Sequence, residues 1–236
     1  MAQQIFAIER FINAEYDFII TSPIDPTITS STLKKAIDKN IKVILISRNI
    51  NGDNFTTFIA PDNHKIAQKA AHYLLKKLNY KGTILMLQGL EGVTTTNLRE
   101  SGFEEVAKQY KEIKILKKRG NFLRGDAIKA LEEVYKDGVQ FDAIYSHSDS
   151  MLVGAREVMR KHNALHIPTV GIDYIKSAKE AILDGKQLAS FTYPTSAKES
   201  IEVIVKLINV QSVPKNITID SQMIDATNAS KIEPIF

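Results

Sequence analysis

Two aspartates stand where a β-rich run of the sequence breaks into polar residues. The first run, Asp142 to Asp149, reads Asp-Ala-Ile-Tyr-Ser-His-Ser-Asp, and the second, Pro168 to Tyr174, reads Pro-Thr-Val-Gly-Ile-Asp-Tyr. A carboxylate accepts hydrogen bonds strongly, so Asp149 and Asp173 are candidates for binding chemistry. Each could accept from a ligand hydroxyl or from a backbone N–H.

The residues that follow each aspartate indicate whether it stands at the start of a helix or in a loop that could face a ligand. Asp149 is followed by an apolar stripe at helical spacing, from Met151 to Met159, so a strand, a turn and a helix are predicted there. Asp149 can cap this helix or face a ligand. No helical stripe follows Asp173 until Ala178, and open α/β sheets bind ligands beyond the carboxyl ends of their strands. We therefore predict that Asp173 faces a ligand.

Three further residues stand at the ends of predicted strands or loops. Arg48 directly follows a predicted strand from Lys42 to Ser47, and it is either a solvated loop charge or a ligand-binding residue. Phe122 and Tyr193 are each either core residues or aromatic surfaces that stack on an apolar ring face.

Composition limits the class of protein. The chain has 236 residues, of which 44% are hydrophobic, and its strand and helix signals alternate, so we predict an α/β fold with parallel sheets. The net charge is +4 with acids and bases interspersed, and no basic stripe is interleaved with aromatic residues, so nucleic acid is not favoured as a partner. The sequence contains no cysteine and no apolar run long enough to span a membrane, and Met1 to Gln4 does not resemble a signal peptide.

Motifs for catalysis or metal binding are weak. Gly89 to Gly92 lacks the spacing of a nucleotide-binding loop and is predicted to be a turn, and no Gly-x-Ser-x-Gly motif is present. His162 and His166 have a spacing seen in metal sites, but no cysteine or carboxylate completes a shell. We predict no enzyme activity, no cofactor and no metal.

Both ends of the chain give specific expectations. The chain opens on a helix from Gln3 to Ala14 that feeds a strand from Asp17 to Thr21, and such a helix normally follows another strand. Near the other end, Ser196 and Glu199 are spaced as a capping box for a helix, and the tail from Met223 to Phe236 is predicted to be a surface segment. The buried stripe of that helix is predicted to be Ile201, Ile204, Val205 and Ile208.

An ordered set of short motifs resembles the type I periplasmic sugar-binding proteins of the ribose-binding class. The motifs are Asp62-Asn63, Arg99-Glu-Ser-Gly-Phe103, Ser146-His-Ser-Asp149 with Gly154-Ala155, Val170-Gly-Ile-Asp173, and Asp184-Gly185 through Tyr193-Pro194. The phrases Asn54 to Ile59, Thr192 to Thr195 and Ile224 to Asn228 are most similar to binding domains that feed sensor kinases. The resemblance runs from about Gln3 to the end of the chain.

The resemblance implies a two-lobed periplasmic-binding-protein type I fold, with a parallel sheet flanked by helices in each lobe. It implies an N-terminal lobe of residues 1–60 and 195–222, and a C-terminal lobe of residues 61–194 with the tail 223–236. Chain crossings are expected near Ala60 to Asp62, near Phe191 to Pro194 and after Asp220. The implied ligand-binding residues are Arg48, Asn97, Phe122, Ser148, Asp149, Asp173 and Tyr193.

The sequence also departs from the family pattern. Ser47-Arg48 stands where the family has Asp-Arg, Asn97 where it has an arginine, and Ser148-Asp149 where it has Asn-Asp, so the resemblance does not imply ribose itself. The family begins with a strand, a helix and a second strand that have no counterpart here, so the first lobe is expected to be incomplete.

The implied function is binding of a monosaccharide or similar polyol between the lobes. The implied partners are the membrane permease of an ABC transporter or a sensor kinase, and the implied location is the periplasm. The effector-binding core of a LacI-type repressor has the same fold and is the alternative. We expect Arg48 and Asp173 to face one another and to select a neutral ligand. Because the first lobe is expected to be incomplete, we expect this chain to bind sugar weakly or not at all.

Overall fold

The computed structural model describes residues 1–235, which form two compact units. Unit 1 comprises residues 1–62, 92–95 and 194–220, and unit 2 comprises residues 63–91, 96–193 and 221–235. The chain therefore passes between the units at Asp62, near Gly92 and Thr95, at Tyr193 and at Asp220.

Unit 1 is built on a four-stranded parallel sheet in the order β1-β2-β3-β9. Its strands are β1 (Phe18–Thr21), β2 (Lys42–Ile46), β3 (Thr57–Pro61) and β9 (Asn216–Ile219). Its helices are α1 (Ala2–Asn13), α2 (Pro26–Asp38) and α8 (Ala197–Ile208).

Alternation along β2 assigns the two faces of this sheet to different helices. Val43 and Leu45 pack with residues of α1 and α2, whereas Ile44 packs with Val203 of α8. Successive side chains of a strand point to opposite faces, so this strand is covered on both sides, as buried parallel strands require.

Unit 2 is built on a six-stranded sheet in the order β10-β8-β7-β6-β4-β5. All its pairings are parallel except that of β10 with β8. Its strands are β4 (Gly82–Gln88), β5 (Ile113–Arg119), β6 (Ala143–Ser146), β7 (Thr169–Val170), β8 (Ala189–Phe191) and β10 (Met223–Asp225). Its helices are α3 (Asn63–Lys77), α4 (Thr94–Ala107, which begins in unit 1), α5 (Arg124–Lys136), α6 (Asp149–Lys161) and α7 (Lys176–Leu183).

The predicted α/β class, with parallel sheets flanked by helices, is confirmed. The strands of unit 2 end in the loops that carry the candidate site, because parallel strands bring their carboxyl ends to one edge of the sheet. No helix among residues 1–235 is long and apolar enough to cross a membrane.

The prediction of a buried stripe on α8 is wrong for Ile201, Val205 and Ile208, whereas Ile204 is half-buried and packs against the cluster of Ile44, Ile59 and Val203. Ile201, Val205 and Ile208 are 59%, 52% and 64% exposed, and Val203 is the buried apolar residue of this helix. The helix is turned so that its Ser200 and Val203 side lies on the sheet, where Val203 meets Ile44 and Ile59. Apolar spacing identified the helix but not the side that the fold would cover.

Two further expectations for this region are corrected. The predicted capping box is absent, because Ser196 has a left-handed φ of 64° and its side chain makes no cap hydrogen bond. The tail is not a plain surface segment either. Met223–Asp225 forms β10 against β8, and Ile224 and Ala229 are fully buried beside Tyr174. Phe236, at the end of that tail, lies outside the described residues.

Candidate functional site

Asp173 stands at the carboxyl edge of the sheet in unit 2, three residues after β7 ends. Its backbone N–H donates to the Phe191 carbonyl at 2.9 Å, and it forms an isolated parallel bridge with Thr192. Its side chain is 25% exposed and makes no hydrogen bond with the described residues. A carboxylate that is mostly buried without a hydrogen-bond donor is costly, so it is a candidate for accepting from a ligand.

Arg99 is the cation that faces this carboxylate. Its Nη1 lies 3.8 Å from Asp173 Oδ1, and its side chain is only 3% exposed. The guanidinium is held from two other directions, because Nε donates to Asn63 Oδ1 at 2.9 Å and Nη1 donates to the His147 carbonyl. These contacts fix the charge in one position before any ligand arrives.

Tyr193 completes the arrangement at the end of the same sheet. The Arg99 guanidinium carbon lies 4.7 Å from the centroid of the Tyr193 ring, within the range of a cation–π interaction. Asn63 Nδ2 donates to the Tyr193 hydroxyl at 3.2 Å. The amide of Asn63 therefore joins the two residues, since arginine can only donate and so requires the amide oxygen.

Opposing effects act on the pKa of Asp173. Burial raises its pKa to about 7, the Arg99 guanidinium opposes this rise, and the nearby carboxylate of Asp149 adds to it. This carboxyl is therefore more easily protonated than that of an exposed aspartate. A donor that favours the ionised form, such as a ligand hydroxyl, would lower the pKa.

His147 directly follows β6, and its ring hydrogen-bonds to the loop that follows β4. Its Nδ1 accepts the Gly89 backbone N–H at 3.2 Å, and its Nε2 has no hydrogen-bond partner among the described residues. Burial lowers the pKa of His147 well below its ordinary value, and the charges of Arg99, Arg119 and Lys117 lower it further. The ring is therefore neutral, with Nδ1 as an acceptor.

Ser148 and Asp149 have different roles at the start of α6. Ser148 is the cap of α6, because its side chain accepts from the Met151 backbone N–H at 3.3 Å, so the cap, which was one of two roles considered for Asp149, belongs to its neighbour. Asp149 is the first residue of the helix, and its fully buried carboxylate accepts from Gln187, Ser190 and the Tyr174 backbone. Burial raises the pKa of Asp149 to about 6 against these hydrogen bonds and the charge of Arg156. A ligand contact by either residue stays a prediction.

The other predicted residues lie in different surroundings. Asn97 is exposed on α4 and makes no hydrogen bond with the described residues, whereas its neighbour Arg99 is the residue that faces Asp173. Phe122 has a left-handed φ of 63° and lies so close to Gly89 that a Cβ there would be 2.0 Å from its ring. Arg48 belongs to unit 1 and follows β2 at a turn formed by Ser47, with φ of 61°. Their ligand roles stay predictions.

Arg99 and Asn63 are the residues that the sequence analysis did not select. Both lay inside quoted motifs, Asp62-Asn63 and Arg99 to Phe103. The sequence offered only the helical spacing of Thr96, Arg99 and Phe103, and the structure shows that all three are buried. A buried arginine must be paired, because its charge is costly away from water. An arginine within a buried stripe therefore indicates a partner of opposite charge or a polar network.

Comparison with known proteins identifies the class. The profile of the family described as "Periplasmic binding protein domain" matches residues 1–212, so the chain belongs to this family. The ribose import binding protein RbsB of Bacillus subtilis (strain 168) is 26% identical over 189 residues, which cover 80% of this chain and 61% of that protein. The galactofuranose-binding protein YtfQ of Escherichia coli (strain K12) is 26% identical, with 98% and 76% covered.

Two solved structures of periplasmic binding proteins have folds that closely match this chain. The fructose-binding periplasmic domain of a hybrid two-component system is 27% identical, with a TM-score of 0.93 over 97% of this chain and 78% of that chain. The arabinose-binding component of a transporter from Shewanella sp. ANA-3, bound to L-arabinofuranose, is 26% identical with a TM-score of 0.92, over 98% and 80%.

Proposed function

We propose that this chain binds a neutral monosaccharide or a similar polyol and has no catalytic activity of its own. The observation that carries the proposal is the pair of Arg99 and Asp173 beside the Tyr193 ring. The cation is fixed by protein contacts, the carboxylate lacks a hydrogen-bond donor among the described residues, and an aromatic ring lies against the cation. Sugars are bound by this combination of charged acceptors, charged donors and aromatic faces.

Charge balance favours a neutral ligand. Arg99 and Asp173 together carry no net charge when the carboxyl is ionised, so they suit hydroxyl groups that both donate and accept. An anionic ligand would meet the Asp173 carboxylate, and a cationic ligand would meet the fixed Arg99 guanidinium. Two of the remaining predicted residues in unit 2, Asn97 and Phe122, supply further contacts under this proposal.

The names of the relatives support a neutral sugar or polyol as the ligand. They include binding proteins for ribose, galactofuranose and fructose and a xylitol-binding protein, all neutral sugars or polyols. We propose that the chain acts in the periplasm as a receptor, delivering its ligand to the permease of an ABC-type transporter or signalling to a sensor kinase. The repressor alternative gains no support from these relatives.

A nuclear magnetic resonance titration tests the proposal, because it detects weak binding as well as strong binding. Neutral pentoses, hexoses and polyols would be compared with phosphorylated and carboxylated sugars. We expect saturable shifts at the Arg99 Nε and Asp173 resonances with a neutral member of the panel, and in Asp173→Asn we expect the Arg99 Nε shifts to saturate only at clearly higher sugar concentration. Lys161→Met, which removes an exposed ion pair with Glu132, is the control that should bind normally. Binding of anionic sugars alone would refute the proposal.

A further inference from the structure

The turn that carries Asp173 has a strained backbone. Asp173 has a φ of 113° and the next residue, Tyr174, has a φ of 51°. Residues with a Cβ seldom adopt positive φ, and 113° lies outside even the small left-handed region that they tolerate. Such a conformation persists only where surrounding contacts hold it, and it is concentrated at functional sites.

The carboxylate of Asp149 is the group that holds this turn. Its Oδ2 accepts from the Tyr174 backbone N–H at 2.7 Å and from the Ser190 hydroxyl at 2.5 Å. Ser190 Oγ itself lies 3.1 Å from the same backbone nitrogen. The peptide group that links Asp173 to Tyr174 is therefore anchored on a fully buried charge.

The second oxygen of Asp149 fixes the carboxylate in turn. Oδ1 accepts from Gln187 Nε2 at 2.7 Å, and Gln187 Oε1 accepts from Arg156 Nη1 at 2.6 Å. A carboxylate can only accept and a guanidinium can only donate, so the Gln187 amide has one allowed orientation. The hydrogen bonds from Arg156 through Gln187 to Asp149 therefore run in one direction, which is set by the two charges and by the Ala189 carbonyl, which accepts from Gln187 Nε2 at 3.1 Å.

Gly171 shows how closely the loop is pressed against this group. A Cβ at Gly171 would lie 2.0 Å from Asp149 Oδ1. The absence of a side chain at this position is therefore what allows the strand-to-turn segment before Asp173 to approach the carboxylate.

We infer that Asp149 is the positioning residue of the ligand site. It holds the Asp173–Tyr174 turn in the strained conformation that directs the Asp173 carboxylate at Arg99, and it does so through hydrogen bonds to protein groups. This role rests on the proposed function, since it concerns how the ligand-accepting carboxylate is aimed.

Asp149→Asn tests the inference. An asparagine amide presents N–H donors where the native carboxylate has an acceptor, so it opposes either the Gln187 amide or the Tyr174 backbone. We expect hydrogen exchange at the Tyr174 amide to accelerate at least about tenfold, and affinity for the neutral sugar to fall about tenfold. The matched control is Leu131→Ala, which removes a buried side chain elsewhere in unit 2 and should change neither quantity beyond its effect on global stability.

A second substitution separates positioning from general damage. In Asp149→Asn with Arg156→Gln, the Gln187 amide can turn around, because a glutamine carbonyl at position 156 accepts from it, and the Ala189 carbonyl then loses the hydrogen bond that it accepts from Gln187 Nε2 at 3.1 Å. Tyr174 exchange and sugar affinity should therefore return part of the way to the native values. If Asp149→Asn does not fold, Ser190→Ala removes one anchor of the same peptide and should accelerate Tyr174 exchange by a smaller factor.

The outcomes distinguish the inference from the proposed function. If Tyr174 exchange in Asp149→Asn is no faster than in Leu131→Ala, or if the double variant recovers nothing, the positioning role is wrong even when sugar binds. If the native protein binds no sugar, or Asp173→Asn binds it equally well, the proposed function is wrong. The Tyr174 exchange rates still decide whether Asp149 holds the turn.

Discussion

Arg99 Nη1 lies 3.8 Å from Asp173 Oδ1, which is close enough for electrostatic attraction but too long for a hydrogen bond. The carboxylate therefore keeps its capacity to accept, while the guanidinium remains fixed by Asn63 and the His147 carbonyl. The two charges form a preorganised pair to which a ligand hydroxyl can add.

Substitution of Asp173 should weaken sugar binding. Asp173→Asn removes the charged acceptor but keeps the shape of the side chain, so we expect a loss of about 1.5–3 kcal/mol of binding free energy, measured by calorimetry. The Lys161→Met control should retain native affinity. Equal affinities of the Asn variant and the native protein would exclude Asp173 from the site.

The stability that Asp173 and Asp149 contribute should fall as pH rises, because their folded pKa values are raised to about 7 and about 6. A carboxyl whose pKa is raised by folding favours the fold when protonated. That contribution is present below about pH 4 and is lost as pH rises through the folded values. In urea titrations of the ligand-free protein, we therefore expect these two carboxyls to lower the free energy of unfolding between about pH 4 and pH 7, whereas His147, whose pKa is lowered by burial, acts in the opposite direction.

Asp173→Asn provides the control for this pH dependence. The variant should be more stable than the native protein at pH 7, by about 1–3 kcal/mol, and similar to it near pH 4. An identical pH profile for both proteins would show that Asp173 ionises normally.

The sequence predicted the elements of the fold better than the contacts of the site. Asp173 was found because its position after a strand fixes where its side chain emerges, and strand position is a local property. Arg99 was missed in favour of Asn97, because which of two residues on α4 faces the sheet depends on how the helix is rotated. Asp149 posed a similar problem, since its partners Gln187 and Ser190 are 38 and 41 residues away in the chain.

Asn63 should couple Arg99 to Tyr193. Asn63→Ala removes the acceptor for Arg99 Nε and the donor to the Tyr193 hydroxyl, so we expect about tenfold weaker sugar binding, since each such hydrogen bond contributes about 1 kcal/mol. Tyr193→Phe retains the ring and loses only the hydroxyl. In a double-mutant cycle, the combined variant should lose less than the sum of the two single losses. Strict additivity would show that the two residues act independently.

The orientation of α8 predicts which of its apolar residues contribute to stability, and these are not the ones that its apolar spacing indicates. Val205→Glu should change the free energy of unfolding by no more than about 0.5 kcal/mol, because Val205 is 52% exposed. Val203→Ala, a smaller change at a residue that is 3% exposed, should cost about 1–2 kcal/mol. Urea titrations of both variants measure the difference, and a larger cost at Val205 would mean that this face is covered.

The most direct test of a sugar-accepting carboxylate is the pKa of Asp173 itself, followed by the ¹³C resonance of its carboxyl group with and without a saturating neutral sugar. A hydroxyl that donates to the ionised form stabilises it, so the pKa should fall from about 7 by about one unit when the sugar binds. The pKa of Asp149 should change little, because its partners are all protein groups. A bound sugar that leaves the pKa of Asp173 unchanged, or raises it, would contradict the account.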